Sequence, residues 1–387
     1  MRQLIFTPNN DITLLHCGAE FFPALLTAID AAQFEIFLET YIFGADKTAG
    51  QVKDALKRAA GRGVVVNVVI DWVGTGRGQV ALQDREFSSA RVNYRVFNPW
   101  FRSGVARTHR KICVLDRKLA FLGGLNINDD LISDDDSRAL LPAPRWDFGV
   151  RISGPLVRDI HLEAEAQWSR LGPLNLKLRW ELFRERRAKP RPLGDGPMLA
   201  ALVVRDNLRN RRTIQRTYLQ ALGHARKSAL LANPYFAPGI KLRRGLESAA
   251  ARGIDVTLLI GVGQFRLQDA VAHSFYPKLL KSGVKIVEYQ KTQLHGKVAV
   301  VDDNWATVGS SNCDGLSLFV NQEANIVVKD AKFANALRIH IENGIADGVA
   351  VRAEDFDNIP WYKRAWYGTA FWLYQGLIRV ITWGHYS

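Results

Sequence analysis

Apolar residues recur at helical spacing across residues 19–32, at Phe22, Leu25, Leu26 and Ile29, and predict a first helix. The run Phe34-Glu35-Ile36-Phe37-Leu38-Glu39-Thr40-Tyr41 that follows is compact and apolar, which predicts a buried strand. Residues 51–60 return to the helical period, Gly61-Arg62-Gly63 supplies a C-terminal stop, and residues 64–70 form a β-branched run ending at Asp71. Alternation of this kind predicts an α/β fold with a mixed, mostly parallel sheet flanked by helices.

The second half repeats the order. Residues 229–232 read as a strand, 240–251 as a helix and 254–260 as a strand. Tyr41 aligns with Tyr235, Arg62-Gly63 with Arg252-Gly253, and His109 with His295, so the chain reads as an internal duplication. Each half is expected to continue with a strand (146–152; 321–328) and a helix (155–168; 331–343). The expected organisation is a first repeat over 1–175, a Pro-containing basic connection over 176–197, a second repeat over 198–350 and a terminal segment over 351–387, the repeats related by a pseudo-twofold. Gly74-Thr75-Gly76-Arg77-Gly78 lacks the Lys-Ser/Thr of a nucleotide-binding loop and reads as a mobile loop beside the site.

The duplication carries its chemistry in one motif. Thr108-His109-Arg110-Lys111-Ile112-Cys113-Val114-Leu115-Asp116 returns as Leu294-His295-Gly296-Lys297-Val298-Ala299-Val300-Val301-Asp302, and each copy ends in a small-residue pair and Asn: Gly123-Gly124-Leu125-Asn126 and Gly309-Ser310-Ser311-Asn312. Alternate residues of a strand share a face, so His109 and Lys111, like His295 and Lys297, are expected side by side. The apolar runs break at Asp116 and Asp302 and restart, which predicts hairpins with Asp anchoring each turn. The small residues allow another backbone to approach closely.

Two Lys and two Asn converging on one point would hold the non-bridging oxygens of a phosphate and stabilise its transition state without a metal. Of two His, one attacks phosphorus and the other protonates the leaving alkoxide and then deprotonates the incoming hydroxyl. A metal site is not expected, because neither copy has a second ligand at metal spacing and Lys would repel the cation. No cofactor is expected either. A catalytic His needs a carboxylate on its other nitrogen, and Asp147 and Glu323, at matching places after each motif, are the candidates. Of the other histidines, His161, His224, His273 and His340 read as packed structural residues.

Composition adds partners. The chain has 387 residues, 47% of them hydrophobic, enough for large cores, and a formal charge of +14 that suits anionic partners. Twelve Lys/Arg against four Asp/Glu between Lys177 and Arg216 concentrate that excess, whether as a solvated linker or as an anionic-surface contact. Cys17, Cys113 and Cys313 have no framework spacing and are expected as reduced thiols in a cytosolic setting. The first fifteen residues carry Asn9, Asn10 and Asp11 in place of a signal-peptide apolar run, so no secretion is expected.

The duplicated His-x-Lys-x4-Asp-x6-Gly-(Gly/Ser)-x-Asn pattern resembles the phospholipase D superfamily and matches it fully in both halves. Within it, Leu38-Glu39-Thr40-Tyr41-Ile42-Phe43, Val204-Arg205-Asp206-Asn207 and Ala232-Asn233-Pro234-Tyr235-Phe236 resemble bacterial cardiolipin synthases of the B type. The resemblance implies two phospholipase D-type domains and transfer of a phosphatidyl group from one phosphatidylglycerol to another, releasing glycerol. It places His109, Lys111, Asp116, His295, Lys297 and Asp302 in the catalytic motifs and implies His109 as nucleophile with His295 as acid and base. Carried over, Lys111, Lys297, Asn126 and Asn312 hold phosphate, and Asp147 and Glu323 orient the His.

The terminal segment supports a lipid substrate independently. Trp361, Tyr362, Trp366, Tyr367, Phe371, Trp372, Tyr374 and Trp383 crowd it with Lys363, Arg364 and Arg379, and only fourteen residues separate Arg364 from Arg379. A span needs roughly twenty apolar residues, so the segment reads as an interfacial helix or, alternatively, as one packed on the protein's own core. The expected setting is a peripheral protein at the cytoplasmic face of the bacterial inner membrane, with phosphatidylglycerol and an anionic surface as partners and no nucleic acid. A hydrolytic phospholipase D and a nuclease with a basic groove share the same motif chemistry.

Overall fold

The computed structural model describes residues 4–102, 104–133, 139–174, 176–187, 196–206, 210–357 and 359–382. Asn207, Pro190, Pro192 and Trp383 lie outside them, as does the middle of the 129–145 insertion. The chain divides into two compact units. One comprises 1–129, 148–203 and 324–328, and the other 130–147, 204–323 and 329–387, so the units exchange short segments of the two sequence halves.

In the first unit the chain runs β1 (Thr7–His16), α1 (Cys17–Ala31), β2 (Glu35–Thr40), α2 (Lys47–Gly61), β3 (Val65–Asp71), α3 (Trp72–Thr75), α4 (Arg77–Ser89) and β4 (Asn93–Phe97). It continues with β5 (Ile112–Leu115), β6 (Leu119–Gly123), β7 (Phe148–Ser153), α5 (Leu156–Leu171), α6 (Leu176–Arg187) and β8 (Met198–Arg205). Strands β2, β3 and β4 are parallel, β5 pairs antiparallel with β2 and forms an antiparallel hairpin with β6, and β7, β1 and β8 extend the sheet antiparallel.

The second unit repeats this plan. It contains α7 (Thr213–His224), β9 (Ser228–Asn233), α8 (Ile240–Ala251), β10 (Asp255–Gly261), α9 (Arg266–Lys281), β11 (Lys285–Tyr289), the hairpin β12 (Val298–Val301) and β13 (Trp305–Gly309), and α10 (Gly315–Phe319). Strand β14 (Glu323–Lys329), most of which belongs to the first unit, leads back to α11 (Ala331–Ala346), β15 (Val349–Val351), α12 (Glu354–Asp357) and α13 (Trp361–Thr382) of the second. Strands β9, β10 and β11 are parallel and β12 runs antiparallel to β9, as β5 does to β2.

The sheets are mixed as expected, but among the described ladders the parallel ones are those of these two triplets and the antiparallel ones are more numerous; isolated parallel bridges join Phe43 to Ile127, Trp146 to Leu294 and Phe236 to Cys313. Helical crossovers make parallel neighbours, and each motif hairpin and terminal strand then returns antiparallel.

Side-chain alternation along β2 separates two environments. Ile36 and Leu38 join Leu25, Ile29, Val52, Leu56, Val66 and Val68 in an apolar core under α1 and α2. Phe37 and Glu39 face the other way; Phe37 packs edge-on against His161 of α5 at 5.3 Å. Polar groups on that covered face are costly unless paired, and they are paired. His161 Nε2 lies 2.9 Å from Glu35, whose carboxyl is held down to about 2 by His161, with further help from Arg117.

Two expectations change here. Residues 74–78 are not a loop: Asp71 accepts from the backbone N–H of Val73 and Gly74 and starts α3, and α4 begins at Arg77. Much of the expected connection is helix, because Leu182 of α6 finds a buried seat on Leu162 and Ala166 of α5.

Candidate active site

In the first unit the motif lies in the extended segment leading into β5 rather than within the strand, yet its side chains still alternate. Thr108 and Arg110 turn inward to one carboxylate. Thr108 Oγ1 donates to Glu39, and the Arg110 guanidinium donates to both Glu39 oxygens at 2.9–3.1 Å, both side chains being 3% exposed. Glu163 of α5 stands 3.7 Å from the same guanidinium. The Thr108 N–H donates to Asp71 at 2.9 Å, and burial pushes the Asp71 carboxyl up to about 6 against its backbone donors.

His109 and Lys111 thereby take the opposite side. The His109 ring stands 4.9 Å from the Tyr41 ring, and Lys111 Nζ is 5.2 Å from the Tyr41 centroid and donates to the His109 carbonyl at 2.8 Å. Asn126 accepts from the Ile42 N–H at 3.2 Å, so β2's C-terminal end gathers His109, Lys111 and Asn126. Gly74 packs directly on Tyr41; a Cβ there would meet the Tyr41 carbonyl at 2.4 Å. Gly123 allows the close approach expected of the small pair, since a Cβ would fall 2.4 Å from the Phe148 carbonyl.

In the second unit His295 is held from its backbone outward. Leu294 bridges Trp146, the Trp146 carbonyl accepts from the N–H of His295 and Gly296 at 2.9 and 2.8 Å, and Trp146 N–H donates to Gln293. Asp147, next along, places Oδ2 2.6 Å from His295 Nδ1, with side-chain exposures of 5% and 7%. Lys297 is fully buried and donates to the His295 carbonyl, as Lys111 does to His109. Glu323, also fully buried, accepts from Ser310 Oγ, and Arg205 donates to the carbonyls of Phe319 and Asn321 just before it. Asn312 is buried, and its Oδ1 has no hydrogen-bond partner among the described residues.

Asp116 and Asp302 do something different from the other motif residues. Asp116 accepts from the backbone N–H of Gln33, Phe34 and Glu35, and Asp302 from those of Arg226, Lys227 and Ser228. Both sit at positive φ, 51° and 50°, and tie each hairpin turn to the start of β2 or β9. Their carboxylates serve the fold in both copies.

Asp147, expected as a His-orienting carboxylate, holds a His, the expectation leaving open which one; the support of the first motif by Glu39, Arg110, Thr108 and Asp71 was not predicted. Glu39 and Asp71 are carboxylates in apolar strands, a signal that each must have a partner. The three cysteines are buried and form no disulfide among the described residues, and burial pushes the Cys113 and Cys313 thiols up, away from the thiolate form.

Repeated α/β architecture, a His-x-Lys pair ahead of each hairpin and a carboxylate-held imidazole define the class: a phosphodiester-processing enzyme of the phospholipase D type. The sequence profile described as cardiolipin synthase, PLD-like domain matches residues 25–137 and 218–344. Cardiolipin synthase B of Escherichia coli strain K12 is 38% identical over 369 residues, covering 93% of this chain and 85% of that protein. The probable cardiolipin synthase YwiE of Bacillus subtilis is 28% identical over 92% of this chain and 69% of its own length. Among solved structures, phosphatidylserine synthase of Haemophilus influenzae superposes with a TM-score of 0.72 over 98% of this chain and 97% of that one; at 13% identity it shares the fold. The chain belongs to the PLD-like cardiolipin synthase family.

Proposed function

We propose that the protein is a cardiolipin synthase that moves a phosphatidyl group between two phosphatidylglycerol molecules. The observation that carries this reading is the likeness to cardiolipin synthase B over nearly the whole chain. The motif geometry supports the roles. Asp147 on His295 Nδ1 fixes the tautomer, so the ring's Nε2 is the end that gives and takes the proton.

In the proposed reaction a neutral His109 attacks phosphorus and a phosphohistidine bond forms as the bond to glycerol breaks. His295 gives its proton to the departing glycerol oxygen. The hydroxyl of a second phosphatidylglycerol then loses its proton to His295 and attacks the same phosphorus, which releases His109 and forms cardiolipin. Lys111, Lys297, Asn126 and Asn312 hold the phosphate oxygens through both steps. Glu323 keeps an orienting role by its place in the repeat. Asp116 and Asp302 act through the fold alone.

The protein works on a lipid surface, peripherally and at the cytoplasmic face of the bacterial inner membrane. No helix among the described residues is long and apolar enough to cross a membrane. Helix α13 has two faces. Ala370 and Ile378 are fully buried, whereas Tyr362, Trp366, Leu373, Leu377 and Val380 form an exposed stripe at helical spacing, Trp366 being 45% and Val380 77% exposed. One face packs on the protein, and the other is suited to a lipid interface with Lys363, Arg364 and Arg379 nearby.

Purified protein with phosphatidylglycerol vesicles tests the reading, with labelled DNA in parallel. Cardiolipin and glycerol in equal amounts are expected. Phosphatidic acid alone would make it a hydrolase, and DNA cleavage without lipid turnover would make it a nuclease.

A further inference from the structure

Helix α13 docks on α9 through rings: Phe371 meets Phe275 edge-on at 5.5 Å and Tyr367 stands 5.1 Å from His273. Docking is completed by the Tyr374 hydroxyl, which accepts from the Gly315 N–H at 2.6 Å. The contact is not closed along its whole length. A cavity of about 320 Å³ remains, lined by the start of α8, by α9, by the segment around Phe356 and by α13, and it includes no residue of either motif.

Its lining divides by chemistry. Phe275, Phe356 and Phe371 make an apolar wall, and Arg243, Lys278 and Arg364 supply three cations. Among the described residues one carboxylate pairs with them: Glu247 lies 3.6 Å from both Arg243 and Lys278. Of the carboxylates around His273, Glu288 is engaged by it at 2.7 Å and Asp269 accepts from the Gly263 N–H at 3.0 Å. Arg364 donates to the Phe356 carbonyl and has no carboxylate partner among the described residues. The Lys278 side chain is 60% exposed, so the charged edge opens to solvent. An apolar slot with an uncompensated basic rim matches an anionic amphiphile, and the volume takes one end of such a molecule.

We propose that this cavity binds an acidic phospholipid, with acyl carbons against Phe275, Phe356 and Phe371 and the phosphate on Arg243, Lys278 and Arg364. It lies beside the helix whose exposed stripe faces lipid in the proposed orientation, so an occupant drawn from that surface holds α13 to α9. Occupancy is independent of the transfer reaction.

The full chain in a nonionic detergent, titrated with dioctanoyl phosphatidic acid, gives the test when bound lipids are counted by native mass spectrometry. Dioctanoyl phosphatidylcholine and inorganic phosphate are run alongside. Wild-type protein is expected to hold one more phosphatidic acid than Lys278→Glu/Arg364→Glu, whose binding at this site should be at least about tenfold weaker. Gly368→Phe is the uncharged counterpart: Gly368 lines the cavity and has open space where a Cβ would stand, so the new ring competes with the acyl chain. It should lose the same lipid while turnover of short-chain phosphatidylglycerol is unchanged. Equal lipid counts in wild type and variants overturn the proposal, as does equal retention of phosphatidylcholine. Displacement of the lipid by an equal concentration of inorganic phosphate overturns the acyl contact. The lipid count is read whether or not the protein makes cardiolipin, so failure of this site and failure of the transfer reading are distinguishable.

Discussion

Asp147 Oδ2 lies 2.6 Å from His295 Nδ1, joining a carboxylate and an imidazole 148 positions apart in the chain. The carboxylate that follows the first motif thus serves the histidine of the second. The 130–147 segment makes this possible by belonging to the second unit: the Thr292 hydroxyl donates to Ala143, and the Trp146 backbone locks onto residues 293–296. A buried carboxylate on Nδ1 orients the ring and stabilises its protonated form, as acid–base work at Nε2 requires.

Asp147→Asn should therefore lower kcat by about 10²–10⁴-fold, because the amide no longer holds the correct tautomer. KM for phosphatidylglycerol should change little. Steady-state kinetics check this; a kcat near wild type would remove Asp147 from its positioning role.

The two motif Asp residues should behave oppositely to Asp147. Asp116→Ala and Asp302→Ala each leave three backbone N–H groups without their acceptor, so each should lose about 1–3 kcal/mol of stability. Turnover per folded molecule should be largely kept. Denaturant unfolding read beside activity separates the effects, and a stable but inactive variant would place these carboxylates in the chemistry.

Glu35 supplies a pH signature. Its carboxyl sits at about 2, below the ordinary 4.5, so its ionised form is favoured by folding; the stability this adds is complete above about pH 4.5 and is lost as pH falls towards 2. Glu35→Gln should thus be less stable than wild type at pH 7, by about 1 kcal/mol for a partly solvated cluster, and the gap should close between pH 4.5 and 2. A gap that stayed constant across that range would contradict the His161 and Arg117 pairing.

Much of this architecture is visible in the residues themselves. Helical periodicity placed α8 at Ile240–Ala251, and the interrupted apolar runs placed both hairpins, because a two-residue period and a turn Asp are local signals. Residues 74–78 misled because their glycines outweighed Asp71, whose side chain starts a helix there. The strand expected from Trp146 begins at Phe148; leaving the ladder at Asp147 frees that carboxylate to reach His295. Neither this pairing nor the Glu39–Arg110 pair was legible, since both join residues distant in sequence. The repeat itself invited each motif to be read with its own carboxylate.

Single-turnover trapping tests the central claim most directly. His295→Ala is mixed with labelled phosphatidylglycerol, quenched and mapped by peptide mass spectrometry; the account predicts a phosphatidyl group on His109 that accumulates, and none in His109→Ala. An adduct that forms normally in His109→Ala, or cardiolipin made with no adduct in any variant, would contradict it.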